Sequence, residues 1–196
     1  VYVKLEKNNP SGSVKDRPVK YIIQDLLDKG ELKPGGTIVE SRSGNTGVGL
    51  AMVGAALGIK VIIVMPDSMS VERRKLMQAY GAELVLTPAS GGMSLAGEKA
   101  EEIAKEKNAP IFGQFKNEAN VTSHEETTAR EVLEDVPDVD GFVAGIGTGG
   151  TITGVGRVLK ENNPETVIWS VEPEASRILT KGEAGSHKIQ GLGANF

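Results

Sequence analysis

The stretch Gly145-Ile-Gly-Thr-Gly-Gly-Thr151 has the residue types of an anion-binding loop. It follows the apolar run 142–144 and leads into residues 152–160, whose pattern predicts a helix. Backbone N–H groups and the helix dipole make a helix N-terminus favourable for negative charge. The stretch therefore predicts a site for a phosphate group.

The glycines leave two kinds of phosphate ligand open. Gly145, Gly147 and Gly150 have the G-x-G-x-x-G spacing of dinucleotide-binding loops. Glu172 directly follows the apolar run 167–171, about 20 residues after the glycines. Dinucleotide-binding loops have an acidic residue at this distance, which binds the ribose. The phosphate is therefore either that of NAD or that of a different cofactor.

A second glycine loop, Ser43-Gly-Asn-Thr-Gly47, lies between a predicted strand at 37–40 and a predicted helix at 48–57. It offers backbone N–H groups, two hydroxyls and an amide at a helix N-terminus, which suits a carboxylate or a ring oxygen. The alternative interpretation is an N-capping turn without a ligand.

Lys15 lies in the segment Asn9–Arg17, next to the apolar Val14 and just before the first predicted helix. Most lysines are solvated surface charges. A lysine at such a place can instead lose its proton by desolvation and act as a nucleophile toward a carbonyl.

These residues are positioned by apolar runs that alternate with helical periodicity. Strands that are apolar on both faces and separated by single helices indicate parallel sheets covered on both sides. The predicted strands are 1–5, 37–40, 61–65, 84–86, 141–145 and 166–171, and the predicted helices are 19–27, 48–57, one capped by Ser70, 96–107, 125–133 and 151–160.

Two ligand loops on different units favour two α/β lobes that face each other across a cleft. We expect a smaller lobe at residues 9–118, carrying the Ser43–Gly47 loop. Residues 1–8 and 119–196 are expected to form part of a larger lobe, carrying the phosphate loop. The chain begins at Val1 and stops at Phe196 after a glycine-rich loop, so trimming at both ends is expected.

Composition narrows the class of protein. The 196 residues carry a net charge of −4, which argues against nucleic acid or an anionic membrane as the main partner. No apolar run approaches the length of a membrane span, and no signal-peptide pattern is present, so a cytoplasmic protein is expected. The absence of cysteine excludes disulfides and thiolate metal sites. No metal site is expected, and His124, Glu125 and Glu126 are predicted to lie on a solvated helix face.

Five motifs occur in the order in which they occur in the cysteine synthase (O-acetylserine sulfhydrylase) family. They are Ser13-Val-Lys-Asp-Arg17, Ser43-Gly-Asn-Thr-Gly47, Met69-Ser-Val-Glu-Arg-Arg74, Gly147-Thr-Gly-Gly-Thr151 and His187-Lys-Ile-Gln-Gly191. Over nearly its whole length the chain resembles this family of pyridoxal-phosphate enzymes. The resemblance implies the fold type II, tryptophan synthase β-like architecture, with an incomplete larger lobe.

The resemblance also implies roles for individual residues. Lys15 would form the Schiff base with pyridoxal 5′-phosphate, and Asn45 would bind the pyridine 3′-oxygen. The remaining implied contacts are Gly147, Thr148, Gly149, Gly150 and Thr151 with the cofactor phosphate, and Ser43, Gly44, Thr46, Gln114 and Gly191 with the amino-acid substrate.

The implied reaction is a β-replacement that makes L-cysteine from O-acetyl-L-serine, or a related activated serine, and sulfide. Lys15 would also remove the Cα proton. The family is commonly homodimeric and binds the C-terminal peptide of serine acetyltransferase in its cleft. An aldimine lysine and a second anion loop have no use in a dinucleotide enzyme, so an NAD dehydrogenase becomes the least favoured alternative.

Two departures from the family pattern matter. Arg42 stands where the family usually has threonine, so it either pairs with an anionic group of the substrate, which would admit O-phosphoserine, or turns to solvent. The chain also stops where the family continues, which would weaken cofactor retention.

Two alternatives to cysteine synthesis stay open. One is a cystathionine β-synthase or cysteine desulfhydrase activity, which would use the same cofactor residues, and the other is an inactive fragment that binds only a ligand or a partner peptide.

Overall fold

A computed structural model describes residues 1–193 of the chain. The chain divides into two compact units. The first unit is Leu5–Gly113, and the second is Val1–Lys4 together with Gln114–Phe196. Each unit contains a parallel sheet with helices packed on it.

The first unit is built on a three-stranded parallel sheet in the order β1-β2-β3. Val39 of the first strand also forms a parallel bridge with Ile111. The elements, in chain order, are α1 Asp16–Asp28, β1 Thr37–Glu40, α2 Asn45–Leu57, β2 Lys60–Pro66, α3 Val71–Ala79, β3 Glu83–Thr87 and α4 Gly92–Lys107.

Helices cover both faces of β2, because alternate side chains of a strand point to opposite faces. Ile62 and Val64 are buried against α4. Val61, on the other face, lies so close to Gly54 of α2 that a Cβ at this glycine would come within 3.0 Å of it. This confirms the sequence-based expectation of a fully buried strand at 61–65.

The second unit contains a two-stranded parallel sheet in which Gly141 pairs with Val167 and Gly145 with Val171. The elements are α5 Ala119–Ser123, a π-helical turn His124–Thr128, α6 Ala129–Asp135, β4 Gly141–Gly145, α7 Gly150–Asn162, β5 Val167–Val171 and α8 Ile178–Lys181.

The two faces of this second sheet differ. Phe142 and Ile168 pack on the cluster formed by α6 and α7, which includes Val155 and Leu159. The alternate residues Val143, Val167, Trp169 and Val171 are exposed, and Trp169 retains 65% of its accessible surface. One face of the sheet is thus bare among the described residues.

The predicted strand at 1–5 is wrong. Residues 1–5 have no regular secondary structure, and Glu6–Asn8 form a single 3-10 turn. A strand needs a partner for its backbone hydrogen bonds, and none of the strands in residues 1–193 pairs with this segment. Lys4 instead forms an ion pair with Glu131, at 2.6 Å between Nζ and Oε2.

Candidate functional site

The phosphate loop follows the end of β4 and continues into the first turn of α7. Gly149, the residue before the helix, has a φ of +84°, which lies in the left-handed region that favours glycine. The turn at Gly149 directs the chain into α7, where the amides of the first turn have no acceptor within the helix. Such amides are the donors that the predicted anion site requires.

Glycine is required in this loop because other groups approach its backbone closely. A Cβ at Gly147 would lie well under 3.0 Å from the carbonyl oxygen of Gly191, and one at Gly150 equally close to Oδ1 of Asn120. The loop 187–193 thereby lies against the phosphate loop, and the Gly193 amide donates to the Ile146 carbonyl at 3.0 Å. The structure therefore places Gly191 beside the predicted phosphate site.

Two threonine hydroxyls of the loop have side-chain partners on the preceding helical segment. Asn120 Nδ2 lies 2.9 Å from Thr148 Oγ1. His124 Nε2 lies 3.3 Å from Thr151 Oγ1, and its Nδ1 lies 2.9 Å from Thr128 Oγ1. The loop is therefore supported from behind by Asn120 and His124.

The prediction that His124 lies on a solvated face is wrong. His124 is 2% exposed and belongs to a π-helical turn, a type of turn that is frequent at functional sites. Its ring lies against α7, where a Cβ at Gly154 would approach the His124 Cβ within 3.0 Å. Glu125 forms part of an ion pair with Arg157, at 3.0 Å between Oε1 and Nη1.

Gln114, predicted to contact the substrate, is buried in the same unit. Its carbonyl oxygen accepts a hydrogen bond from Asn120 Nδ2 at 3.0 Å. One amide side chain thus connects Gln114 to the phosphate loop.

Glu172 has a local structural role. Its carboxylate accepts the amides of Leu179 and Thr180, at 2.9 and 3.1 Å, at the start of α8. The hydroxyl of Thr180 and these amides lower the pKa of the Glu172 carboxyl. Glu172, the acidic residue at the distance expected for a dinucleotide-binding loop, therefore caps the start of α8.

The Ser43–Gly47 loop follows the end of β1 and includes the first turn of α2 in the first unit. Gly44 precedes the helix, Ser43 and Thr46 are buried, and Asn45 is exposed. A Cβ at Gly47 would lie well under 3.0 Å from the backbone carbonyl oxygen of Arg42. The loop therefore folds tightly back on itself, with its amides at a helix N-terminus.

Glu40, at the end of β1, holds the beginning of this loop. Its carboxylate oxygen accepts the Ser41 amide at 2.6 Å, and the Arg42 amide also donates to it. The residue is 4% exposed, and burial raises the pKa of its carboxyl against the opposing effect of these amides. A carboxylate thus lies directly behind the predicted substrate loop.

Lys15 precedes the first turn of α1 in the same unit as the Ser43–Gly47 loop. Its backbone lies beside α2, because a Cβ at Gly49 would be 3.6 Å from the Lys15 carbonyl carbon. Burial lowers the pKa of the Lys15 amine below the ordinary lysine value. The Lys15 side chain is half-buried.

The segment before Lys15 is held by charged contacts. The Arg17 guanidinium makes two bonds to the Glu6 carboxylate, Nε to Oε2 at 2.8 Å and Nη2 to Oε1 at 3.0 Å. Asp16 accepts the Ser11 amide at 2.8 Å. These contacts fix the backbone from which Lys15 projects.

The donors present fit a pyridoxal phosphate. The phosphate loop supplies backbone amides at a helix N-terminus and two hydroxyls, which can hold a dianionic phosphate without an arginine. Gly147 and Gly150 have no room for side chains, so the loop presents backbone to a ligand. Lys15 supplies an amine whose neutral form is favoured by burial.

Neither a metal cluster nor a membrane span was found in residues 1–193. No group of three His, Cys, Asp or Glu side chains in this range could hold a metal ion. None of its helices is both long and apolar enough to cross a membrane.

Sequence reasoning missed Asn120, His124 and Glu40. Asn120 and His124 are four residues apart, a spacing that places two side chains on the same face of a helix. That spacing was the available signal, but charged neighbours at 125 and 126 obscured it. Glu40 was included in a predicted strand without a role.

Known proteins resemble this chain over all or nearly all of its length. The model of the pyridoxal-phosphate dependent enzyme family matches residues 1–195. A cysteine synthase of a Flavobacterium species is 53% identical over the whole chain. The solved structure of an O-ureido-L-serine synthase has a TM-score of 0.95 and 48% identity, and covers 100% of this chain and 62% of its own. The cysteine synthase of Entamoeba histolytica has a TM-score of 0.94 and 45% identity, with 98% and 58% covered.

The match covers a larger share of this chain than of its relatives. The chain spans about 64% of the length of the Flavobacterium cysteine synthase. Nearly all of its residues fall within the family model, and both ligand loops and Lys15 lie inside the match. The chain therefore belongs to the family of pyridoxal-phosphate-dependent enzymes.

Proposed function

We propose that this protein makes L-cysteine by a β-replacement, from O-acetyl-L-serine or a related activated serine and sulfide. The Cβ–O bond breaks and the acetoxy group leaves as acetate with the bonding electron pair, and sulfide forms the new C–S bond at Cβ. The similarity to cysteine synthases at 53% identity supports this substrate class.

The observation that carries the proposal is the half-buried Lys15 in the same unit as the Ser43–Gly47 loop, where burial lowers the pKa of its amine. A neutral amine can act both as a nucleophile and as a base, whereas an ammonium can do neither. Bound pyridoxal phosphate supplies an aldehyde for reaction with amines and a ring that withdraws electrons from Cα. Lys15 Nζ takes the proton from Cα of the amino acid and returns it to Cα when the C–S bond has formed.

The two loops bind and orient the reactants. Gly147, Thr148, Gly149, Gly150 and Thr151 hold the phosphate, and Asn45 donates to the pyridine 3′-oxygen. Ser43, Gly44 and Thr46 receive the carboxylate of the amino acid, and the family similarity assigns Gln114 and Gly191 to the same substrate. Charge complementarity supports this division, because each loop presents helix N-terminal amides to an anion.

Substitution of Lys15 tests the proposal. In Lys15→Ala we expect the visible absorbance band of the bound cofactor, and the turnover of O-acetylserine with sulfide, to be lost. Lys20→Ala, an exposed lysine of α1, is the matched control and should keep both. A Lys15→Ala protein that retains the visible band would show that another residue bonds to the cofactor.

Arg42 favours a second activated serine as substrate, O-phosphoserine, whose leaving group is phosphate. The residue is exposed at the head of the substrate loop, and Gly47 and Glu40 fix its backbone. A guanidinium can make two parallel bonds to a phosphate. The ratio of kcat/KM for O-phosphoserine to that for O-acetylserine should fall about tenfold in Arg42→Thr, as expected for one lost charged contact. An unchanged ratio would assign Arg42 to solvent.

Partners and compartment are proposed on the same basis. A homodimer, binding of the C-terminal peptide of serine acetyltransferase, and a cytoplasmic location fit the cysteine synthase similarity. A titration with such a peptide separates two outcomes. Peptide binding by a chain without a cofactor spectrum would favour the alternative of a binding fragment, and homocysteine in place of sulfide tests a cystathionine β-synthase activity.

A further inference from the structure

Asn120 contacts two residues that the proposed function places at the ligand. It lies in the short helix α5 and is 4% exposed. Its Nδ2 atom is 3.0 Å from the Gln114 carbonyl oxygen and 2.9 Å from Thr148 Oγ1. This buried side-chain amide thus connects a proposed substrate residue, Gln114, to a residue of the phosphate loop, Thr148.

The bond to Gln114 determines which way the Asn120 amide is oriented. A backbone carbonyl can only accept a hydrogen bond, so the side-chain atom next to it must be the nitrogen. The same nitrogen has a second proton, which points to Thr148. Asn120 is therefore the donor in its bond to Thr148, and Thr148 Oγ1 is the acceptor.

This bond restricts what the Thr148 hydroxyl can do. A hydroxyl has two acceptor lone pairs and one donor proton. Asn120 occupies one lone pair, and the Gly150 amide, at 3.4 Å, approaches the other. The hydroxyl proton is what remains, and it is donated only to a group with a free lone pair.

A phosphate oxygen has free lone pairs and can accept this proton, whereas a group that can only donate cannot. We propose that Asn120 is a positioning residue that makes Thr148 an obligatory donor to the cofactor phosphate and ties this loop to the main chain of Gln114. The assignment rests on the proposed function, since it assumes that the loop holds pyridoxal phosphate. It adds a specificity element: the site distinguishes a phosphorylated pyridoxal from its alcohol through a residue that does not itself touch the ligand.

The packing around Asn120 leaves it little freedom. Its Oδ1 occupies the space into which a Cβ at Gly150 would project. The backbone carbonyl of Asn120 accepts the Ser123 hydroxyl at 2.7 Å, which fixes the main chain of this residue. The amide is therefore held in one orientation by α5 and α7 before any ligand binds.

The test compares the dissociation constants of pyridoxal phosphate and of pyridoxal, which lacks the phosphate, by equilibrium titration. We expect Asn120→Ala to weaken pyridoxal phosphate on the order of tenfold, the usual effect of a lost bond to a charged group. Binding of pyridoxal should change less than about twofold. Asn162→Ala, an exposed asparagine at the end of α7, is the matched control and should change neither.

A double-mutant cycle with Thr148 shows whether Asn120 acts through this hydroxyl. In the Thr148→Val background, Asn120→Ala should cost less than about twofold in affinity for pyridoxal phosphate. An equal loss in both backgrounds, or an equal loss for both ligands, would overturn the assignment alone. A wild-type chain that binds neither ligand would overturn the proposed function together with it.

Asn120→Ser supplies a second variant of smaller change, and urea unfolding without ligand checks that both variants are folded. The serine side chain is too short to bond Gln114 and Thr148 at once, so it should reproduce the loss of phosphate selectivity. Full selectivity in a folded Asn120→Ser protein would equally contradict the assignment.

Discussion

The two glycine loops are built alike and held differently. Both join the end of a parallel strand to a helix N-terminus. Near neighbours contact the Ser43–Gly47 loop: the Glu40 carboxyl accepts the Ser41 and Arg42 amides, and the Arg42 carbonyl lies against Gly47. The Gly147–Thr151 loop is held by side chains 27 and 28 residues earlier in the chain, His124 and Asn120.

This difference matches the ligands proposed for each loop. A cofactor phosphate stays in place through many turnovers, so a loop supported by buried, fully bonded side chains suits it. A substrate carboxylate arrives and leaves in each turnover, and a loop whose backbone amides are bonded to a residue of the preceding strand can adjust with it. The predictions below test this contrast by changing one support at a time.

The largest effect is expected at Gly47. In Gly47→Ala the new Cβ meets a backbone carbonyl, which cannot move unless the loop opens, so we expect a loss of about 3 kcal/mol in the free energy of unfolding. Urea unfolding measures this. Gly97→Ala, in α4 with no atom near its Cβ position, is the control and should stabilise the chain by about 0.5–1 kcal/mol. Similar stability of the two variants would show that the first loop is not tightly closed.

At Gly150 a new Cβ would meet a side chain. A substitution there should therefore cost less stability than Gly47→Ala, and removing that side chain should restore part of the loss. We expect Gly150→Ala to cost about 2 kcal/mol, because the new Cβ displaces the Asn120 amide. Adding Asn120→Ala removes the obstacle, so the double variant should lose less than the sum of the single losses. Additive losses in urea unfolding would mean that Asn120 is not what limits this position.

Glu40 titrates and Asn120 does not, so substitutions of these two residues should change the free energy of unfolding with a different dependence on pH. The raised pKa of Glu40 means that the folded chain binds its proton more tightly than the unfolded chain. Stability from this group is present below the ordinary glutamate pKa and is lost as the pH rises through the raised value. Glu40→Gln should remove this loss, so its stability relative to wild type should increase from pH 4 to neutral pH.

The same pH series on the second loop provides the comparison. Asn120→Ala should change stability by the same amount at each pH, since no proton is taken up or released at that side chain. A pH-independent difference between Glu40→Gln and wild type would show that the Glu40 carboxyl has an ordinary pKa.

Local patterns in the sequence predicted most elements of the fold. The strands at 37–40 and 141–145 have the predicted bounds, and Ser70 caps α3 by accepting the Arg73 amide at 3.3 Å. Each of these depends on residues within a few positions. Helix α1 begins before the predicted residue 19, at Asp16, because apolar periodicity does not mark the polar first turn of a helix.

The errors concern interactions between distant residues. The alternation at 1–5 is typical of a strand, but a strand also needs a neighbour, which periodicity cannot show. His124 has charged neighbours in the sequence, yet its burial is decided by Gly154 and Thr151 of α7. Motif order predicted Lys15 and both loops, whereas the supports Asn120 and Glu40 emerged only from side-chain contacts.

The bare face of the second sheet gives the chain an optical reporter. Trp169 is its single tryptophan, and most of its indole is in contact with water. Emission from such an indole lies at long wavelength and moves to shorter wavelength when an apolar surface covers it. Intrinsic fluorescence therefore reports, without a label, when another polypeptide segment covers this face.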